Sequence, residues 1–177
     1  MSSGERDEWL SADDEALARD CRFDFHRSGG KGGQKVNKTS SAVRLVHLPS
    51  GIGAVSTETR SQALNRHLAF RKLRMKLAFT FRETPAEGKE IPDMKTPPSP
   101  HGAGYPLWTA RLFDTLSACS WDLKQSAADL HCSRARLFRL LRRDPALWRE
   151  YQASAGKALQ SSPFPKETTD ETDEENN

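Results

Sequence analysis

Ten residues, Ser28 to Asn37, contain four glycines, at positions 29, 30, 32 and 33. That density defeats both helix and strand, because glycine loses the most backbone freedom on ordering and readily takes positive φ. Any fold of this chain must therefore carry an irregular loop here. The flanks show what it joins. Cys21 to Phe25 alternates apolar and polar residues, as a half-buried strand does. Ala42 to Leu48 reads as a second strand, and Pro49-Ser50-Gly51 is turn chemistry leading to a third, about Ile52 to Thr57. Ser61 is placed to cap a long helix ending near Phe81. Its apolar positions Phe70, Leu73, Leu77 and Phe81, with Leu64 and Leu68 before them, recur at spacings of three and four. Such a helix lies across the small sheet and buries one face. The pattern predicts an α+β fold: a small antiparallel β-sheet with a glycine-rich loop and a long packed helix.

The rest of the chain divides by composition. Residues 1–11 read as unstructured, and Asp13 caps a short helix to about Asp20. The sheet and long helix define a domain over residues 12–83. Residues 83–107 hold six prolines and three glycines, so 84–107 is expected to be a linker. A helical, helix-turn-helix-like module is expected over 108–156. Residues 157–177 are an acidic tail, expected to be disordered.

Charge points to a partner. Residues 21–82 hold thirteen Lys and Arg against two acids, Asp24 and Glu58, while the whole chain carries only +3. A block this basic suits a polyanion, and nucleic acid is the first candidate, because each neutralised phosphate releases counterions. No run of 18 apolar residues exists, and the first twenty residues carry seven acids, unlike a secretory or transit leader. Cys21, Cys119 and Cys132 form no Cys-x-x-Cys pair, and the five histidines show no metal-ligand spacing. A cytoplasmic, monomeric protein with no membrane contact, no metal and no cofactor is expected.

The glycine loop is phosphate-compatible, with Lys31, Lys35 and Lys38 around its glycines. It is not a nucleotide-binding P-loop, which needs Gly-Lys-Ser/Thr before a helix; here Gly33 leads to Gln34. Nor does a helix with the required acidic residue follow, as a dinucleotide fingerprint demands. The loop has no Asp, Glu, His or Cys, which argues against acid–base or nucleophilic chemistry run by the protein there. Gln34 offers a carbonyl, an amide and a backbone N–H, groups that position water or donate to an oxyanion.

In order and spacing, Arg27-Ser28, Gly30, Gly32-Gly33-Gln34, Val36-Asn37, Thr39, Ser41-Ala42-Val43, His47 to Ile52, Arg60-Ser61-Gln62 and Asn65 resemble the catalytic domain of class I peptide chain release factors and their ribosome-rescue relatives. The resemblance covers roughly residues 13–82. It implies hydrolysis of the ester between nascent peptide and transfer RNA in the peptidyl transferase centre. Gly32 and Gly33 would shape the loop, the backbone N–H of Gln34 would stabilise the oxyanion, and its side chain would help to place the water. The implied partners are the ribosome, through large-subunit ribosomal RNA and the P-site peptidyl-tRNA, and a glutamine methyltransferase acting on Gln34. RNA contacts are expected from Arg27, Ser28, Lys31, Lys35, Asn37, Lys38, Arg60, Gln62, Arg66, Arg71 and Lys72; Arg60, Ser61, Gln62 and Asn65, at the start of the long helix, either brace the loop or touch ribosomal RNA. About twenty residues precede the first strand, too few for a codon-reading domain, so a codon-independent rescue factor is expected. The final segment is acidic, where the best-known rescue relatives have a basic tail.

Trp121 to Leu141 resembles the helix-turn-helix of factor-for-inversion-type DNA-binding domains. Asp122 and Ser133 are the caps, and Ala127, Leu130, Leu137 and Leu141 the buried side. Arg134, Arg136 and Arg139 would lie on or near the helix that contacts nucleic acid. His131 stands where the turn usually has glycine. Two rival readings follow: a non-catalytic ribosome- or RNA-binding protein, and a DNA-binding regulator acting through residues 121–141.

Overall fold

The structure is a computed structural model that describes residues 4–26, 41–84 and 91–161. Its elements in chain order are α1 (Glu5–Ser11), α2 (Asp14–Arg19), β1 (Cys21–His26), β2 (Ala42–His47), β3 (Gly53–Ser56), α3 (Gln62–Thr80), α4 (Tyr105–Ala118), α5 (Leu123–Asp129), α6 (Arg134–Arg143) and α7 (Pro145–Ser161). The α+β class is as expected.

The three strands form one antiparallel sheet in the order β1-β2-β3. Cys21 pairs with His47 and His26 with Ala42, while Val43 pairs with Ser56 and Val46 with Gly53. The register puts Val43, Leu45 and Ala54 on one face, where all three are buried against Phe70, Leu73 and Leu77 of α3. The opposite face leaves Val55 exposed. Ser61 caps α3, its hydroxyl accepting from Leu64 N at 3.3 Å. One inward position differs from expectation: Leu64 is exposed and Asn65 is fully buried. The apolar stripe of α3 starts a turn later, and a polar group occupies its sheet-side beginning.

Residues 1–11 differ more. They contain α1, whose first turn carries Glu5, Asp7 and Glu8, acids that complement a helix N-terminus. Leu10 joins the core under the sheet, and Arg6 is fully buried. Arg6 holds Asp114 of α4 in a fork, Nη1 to Oδ1 and Nη2 to Oδ2, both at 2.7 Å, and also donates to Phe81 O at 3.1 Å. Burial alone would lower the guanidinium's pKa, but Asp114 and Asp7 outweigh it and raise it, so Arg6 stays charged. A short segment that sequence patterning marks as loose is thus nailed down by a partner 108 positions away.

The helical region is not a separate module on a free linker. Met75 and Phe79 of α3 pack into the cluster built from Leu112, Phe113, Leu116, Leu137 and Leu141, and Ala110 of α4 is part of the sheet's own core. Residues 91–104 lack helix and strand, yet Met94 is buried and Asp93 O accepts from Trp108 Nε1 at 3.0 Å. Helix α4 begins at Tyr105, three residues before the expected Trp108, because Pro106 fits the first turn, where no intrahelical N–H is needed. Helix α7 runs to Ser161, past the expected end at 156.

Candidate functional site

The loop expected to carry the chemistry joins β1 to β2. Gly32, Gly33 and Gln34, with Arg27, Ser28, Lys31, Lys35, Asn37 and Lys38, lie outside the described residues. What the structure does show is the loop's root. The β1–β2 ladder reaches His26 and Ala42, and Ser41 is buried beside it. The segment leading into α3 comes to the same end of the sheet, because β3 ends at Ser56, opposite Val43.

Asn65 holds these pieces together. Its Nδ2 donates to Ser41 O at 2.6 Å and to Thr59 O at 2.7 Å. Its Oδ1 accepts from Thr59 N at 2.9 Å, with the Thr59 hydroxyl at 3.2 Å and the Ser56 hydroxyl at 3.4 Å. A single amide therefore satisfies both strand ends and the helix entry with its full inventory of two donors and one carbonyl. Of the two roles open to Asn65 from sequence, the geometry gives it the bracing one.

Arg60 and Gln62 flank the cap Ser61 and are exposed at this root. Arg66, one turn further, is also exposed, and its guanidinium carbon lies 5.0 Å over the Phe23 ring and 5.8 Å over Phe70. Its charge is thus held against Phe23 of β1 and Phe70 of α3. Arg71 and Lys72 have turned away from this group. Arg71 donates to His101 Nδ1 at 2.7 Å. Lys72 pairs with Glu58 at 2.5 Å and donates to Val55 O at 3.1 Å. Lys76 donates to Gly53 O at 2.6 Å, so two lysines of α3 fasten it to the β3 edge strand.

The far end of the sheet is structural. Here His47 is fully buried, its Nδ1 2.8 Å from Ser50 Oγ and its ring edge-on to Trp9 at 4.6 Å. Burial keeps its pKa below the ordinary histidine value, only partly opposed by Asp20. Gly51 closes the turn with φ +70°. Asp14 is held low: burial would raise it, but hydrogen bonds from Arg74 and His67 outweigh this. Cys21 has its thiol pushed up to about 11 by burial and the nearby Asp20, so it is not a nucleophile at neutral pH. Among the described residues no group of three or more His, Cys, Asp or Glu is placed to hold a metal ion.

In the helical region, Asp122 accepts from Gln125 N at 2.7 Å and Ser133 from Arg136 N at 3.2 Å, both as caps. Ala127, Leu130, Leu137 and Leu141 are buried. His131 takes φ +50°, the left-handed position that sequence reading assigned to glycine. Arg134 and Arg139 are exposed on α6. Arg136 is engaged: Nε donates to Met94 O and Nη2 to Lys95 O, each at 2.5 Å. Sequence reading missed Arg6, Asp114 and Thr59. The remote partner of Arg6, Asp114, has no local signature, whereas Thr59 sits one residue before the matched Arg60-Ser61-Gln62.

The architecture is thus a short antiparallel sheet, with the glycine-rich sequence between its first two strands and a capped helix across it. Residues 14–97, just under half of the chain, match the RF-1 domain. Helices α4 to α7 lie beyond the match. Over 65 residues the chain is 52% identical to "Peptide chain release factor 1" of Chloroherpeton thalassium, covering 37% of this chain and 18% of that protein. Over 78 residues it is 45% identical to "Peptide chain release factor 2" of Acidovorax sp. (strain JS42), covering 44% and 21%. "Peptide chain release factor 1-like, mitochondrial" of Rattus norvegicus is 54% identical over 59 residues, covering 33% and 16%. The chain spans about a fifth of the length of the relatives it matches.

Proposed function

We propose that this protein is a codon-independent peptidyl-tRNA hydrolase that frees nascent peptide on stalled ribosomes. The supporting observation is that one segment is similar, at 52% and 45% identity, to proteins named as release factors 1 and 2. A segment shared by two differently named factors carries what they have in common rather than what separates them. The RF-1 match over residues 14–97 contains Gly32-Gly33-Gln34 of this chain.

In this reading water attacks the ester carbonyl carbon that joins the peptide to the ribose oxygen of transfer RNA. The backbone N–H of Gln34 donates to the oxyanion as it forms, and its side chain orients the water. The carbon–oxygen bond to ribose breaks, and the proton lost by water passes to that oxygen through RNA groups and solvent. Gly32 and Gly33 allow the close approach. Arg60, Gln62 and Arg66, at the loop's root, face ribosomal RNA together with Arg27, Ser28, Lys31, Lys35, Asn37 and Lys38. Asn65 holds the loop's C-terminal foot so that its position is set by the sheet. The partners are the large ribosomal subunit, P-site peptidyl-tRNA and a methyltransferase that modifies Gln34, in the cytoplasm.

The test is release of labelled peptide from purified ribosomes carrying peptidyl-tRNA, with a stop codon, a sense codon or a truncated messenger in the decoding site. Wild type releases peptide on the truncated messenger, and Gln34→Ala abolishes release while still sedimenting with ribosomes. Release confined to the stop codon would refute codon independence. No release anywhere, with ribosome binding intact, would refute the hydrolase reading and leave an RNA-binding protein.

A further inference from the structure

Helix α6 has the sequence Arg-Ala-Arg-Leu-Phe-Arg-Leu-Leu-Arg-Arg, with five guanidinium groups in ten residues and no acid. Leu137 and Leu141 point into the core. Arg136 is spent on the carbonyls of Met94 and Lys95. The other four, Arg134, Arg139, Arg142 and Arg143, are exposed. Among the described residues none of them makes an ion pair with a carboxylate, whereas Arg6, Lys72, Arg74 and Arg82 elsewhere all do. Like charges three and four positions apart on a helix repel, and Arg139 stands in that relation to both Arg142 and Arg143. A polyanion laid on the face removes that repulsion.

The same face presents aromatic surface. Phe138 is 42% exposed and meets Trp148 of α7 edge-on, ring centroids 5.5 Å apart. The Arg142 guanidinium lies 5.0 Å from the Trp148 ring centre and 5.9 Å from that of Phe138. Ala135, Phe138, Arg139 and Arg142 follow the spacing of one helical stripe, and all four are exposed. Arginine beside accessible rings is how proteins grip unpaired bases and their phosphates. Reading duplex DNA instead requires the first turn of such a helix to enter the major groove. Here the bonds from Arg136 place the Met94–Lys95 backbone against that first turn.

We propose that the exposed face of α6, with Phe138 and Trp148, is a second RNA-binding surface that takes an unpaired RNA segment. It is separate from the glycine loop and does not depend on hydrolysis. The core shared by α3 and α4, with the Arg6–Asp114 fork, carries this surface on the catalytic domain itself.

The test measures binding of the full chain to a labelled RNA hairpin with an unpaired loop, by fluorescence anisotropy across a salt series. Wild type is compared with Arg134→Gln/Arg139→Gln/Arg142→Gln and with Phe138→Ala, each checked for an unchanged melting temperature. The triple variant is expected to bind about tenfold more weakly at low salt, its log–log salt slope smaller by about 0.7 per guanidinium removed, or about 2 in all. Phe138→Ala is expected to weaken binding with the slope unchanged, since stacking releases no counterions. A triple variant with wild-type affinity and slope would overturn the proposal. So would a loss seen on duplex DNA but not on the hairpin, which would make the face a DNA site.

Discussion

Asn65 and Arg6 are both fully buried polar side chains, and they hold the molecule together in opposite ways. Asn65 is neutral and local: its partners Ser56, Thr59 and Ser41 lie within 24 positions, around one end of the sheet. Arg6 is ionic and remote, joining α1 to Phe81 and to Asp114 of α4. A neutral amide gains several hydrogen bonds without bringing a charge out of water, so it suits fine positioning of a loop foot. A buried ion pair has a large desolvation cost that its Coulomb energy only roughly offsets, so its main effect is to forbid other arrangements. The root of the β1–β2 connection is therefore braced by Asn65, while Arg6 ties the helical region to the sheet domain.

That contrast breaks most visibly at the ion pair. Arg6→Met leaves Asp114 buried without its counter-charge and is expected to destabilise the fold by about 3–5 kcal/mol. Denaturant unfolding measures the loss. Arg6→Met/Asp114→Leu, with neither charge, should recover much of it; if the double variant is as unstable as the single, the fork stabilises rather than specifies.

The amide is the next largest. Asn65→Leu removes two donors and an acceptor from buried partners and is expected to cost about 2–3 kcal/mol. On the proposed function it also slows peptide release at temperatures where the variant is fully folded, because Ser41 loses its clamp. Arg6→Met, compared at equal folded fraction, should release normally. Equal slowing in both would dissolve the distinction between a loop anchor and a module anchor.

The two anchors also differ in how readable they were. Asn65 lies in a matched motif beside Ser61, and sequence alone raised bracing as its role. Its inward position was less visible, since apolar periodicity favoured Leu64, which is exposed. Arg6 sits among six acids in residues 5–15 that look solvated, and its partner Asp114 lies far along the chain, so no local pattern announces the pair. The proline-rich segment misled for a related reason. Its composition argues for a tether, yet Asp93 and Met94 give their carbonyls to Trp108 and Arg136, and Met94 enters the core. Strands, caps and the long helix were legible because they depend on neighbours in sequence. The docking of α1 and of residues 91–104 was not, because it depends on tertiary partners.

His47 extends the comparison to a buried polar group that is only half satisfied among the described residues: Nδ1 has Ser50, while Nε2 is buried and has no hydrogen-bond partner among them. Burial lowers its pKa in the folded state from the ordinary 6.5. The unfolded chain therefore binds a proton more readily, and stability is full above about pH 6.5 and falls as pH drops through the depressed folded value. Thermal unfolding across this range should show the decline in wild type and a shallower one in His47→Gln. An unchanged slope would assign the acid sensitivity to other groups.

The smallest effect concerns backbone rather than side chain. His131 takes φ +50° between α5 and α6, as Gly51 takes +70° in the β2–β3 turn. A side chain in this region costs about 1–2 kcal/mol, while glycine adds about 0.4–1 kcal/mol of unfolded-state entropy. His131 is exposed, so its ring gives little in return. His131→Gly is thus expected to stabilise by about 0.5–1 kcal/mol, and Gly51→Ala to destabilise by a similar amount, both read from denaturant midpoints. If His131→Gly instead loses stability, the imidazole makes a contact that offsets its strained backbone, and the turn between α5 and α6 holds a further anchor beside the two already distinguished.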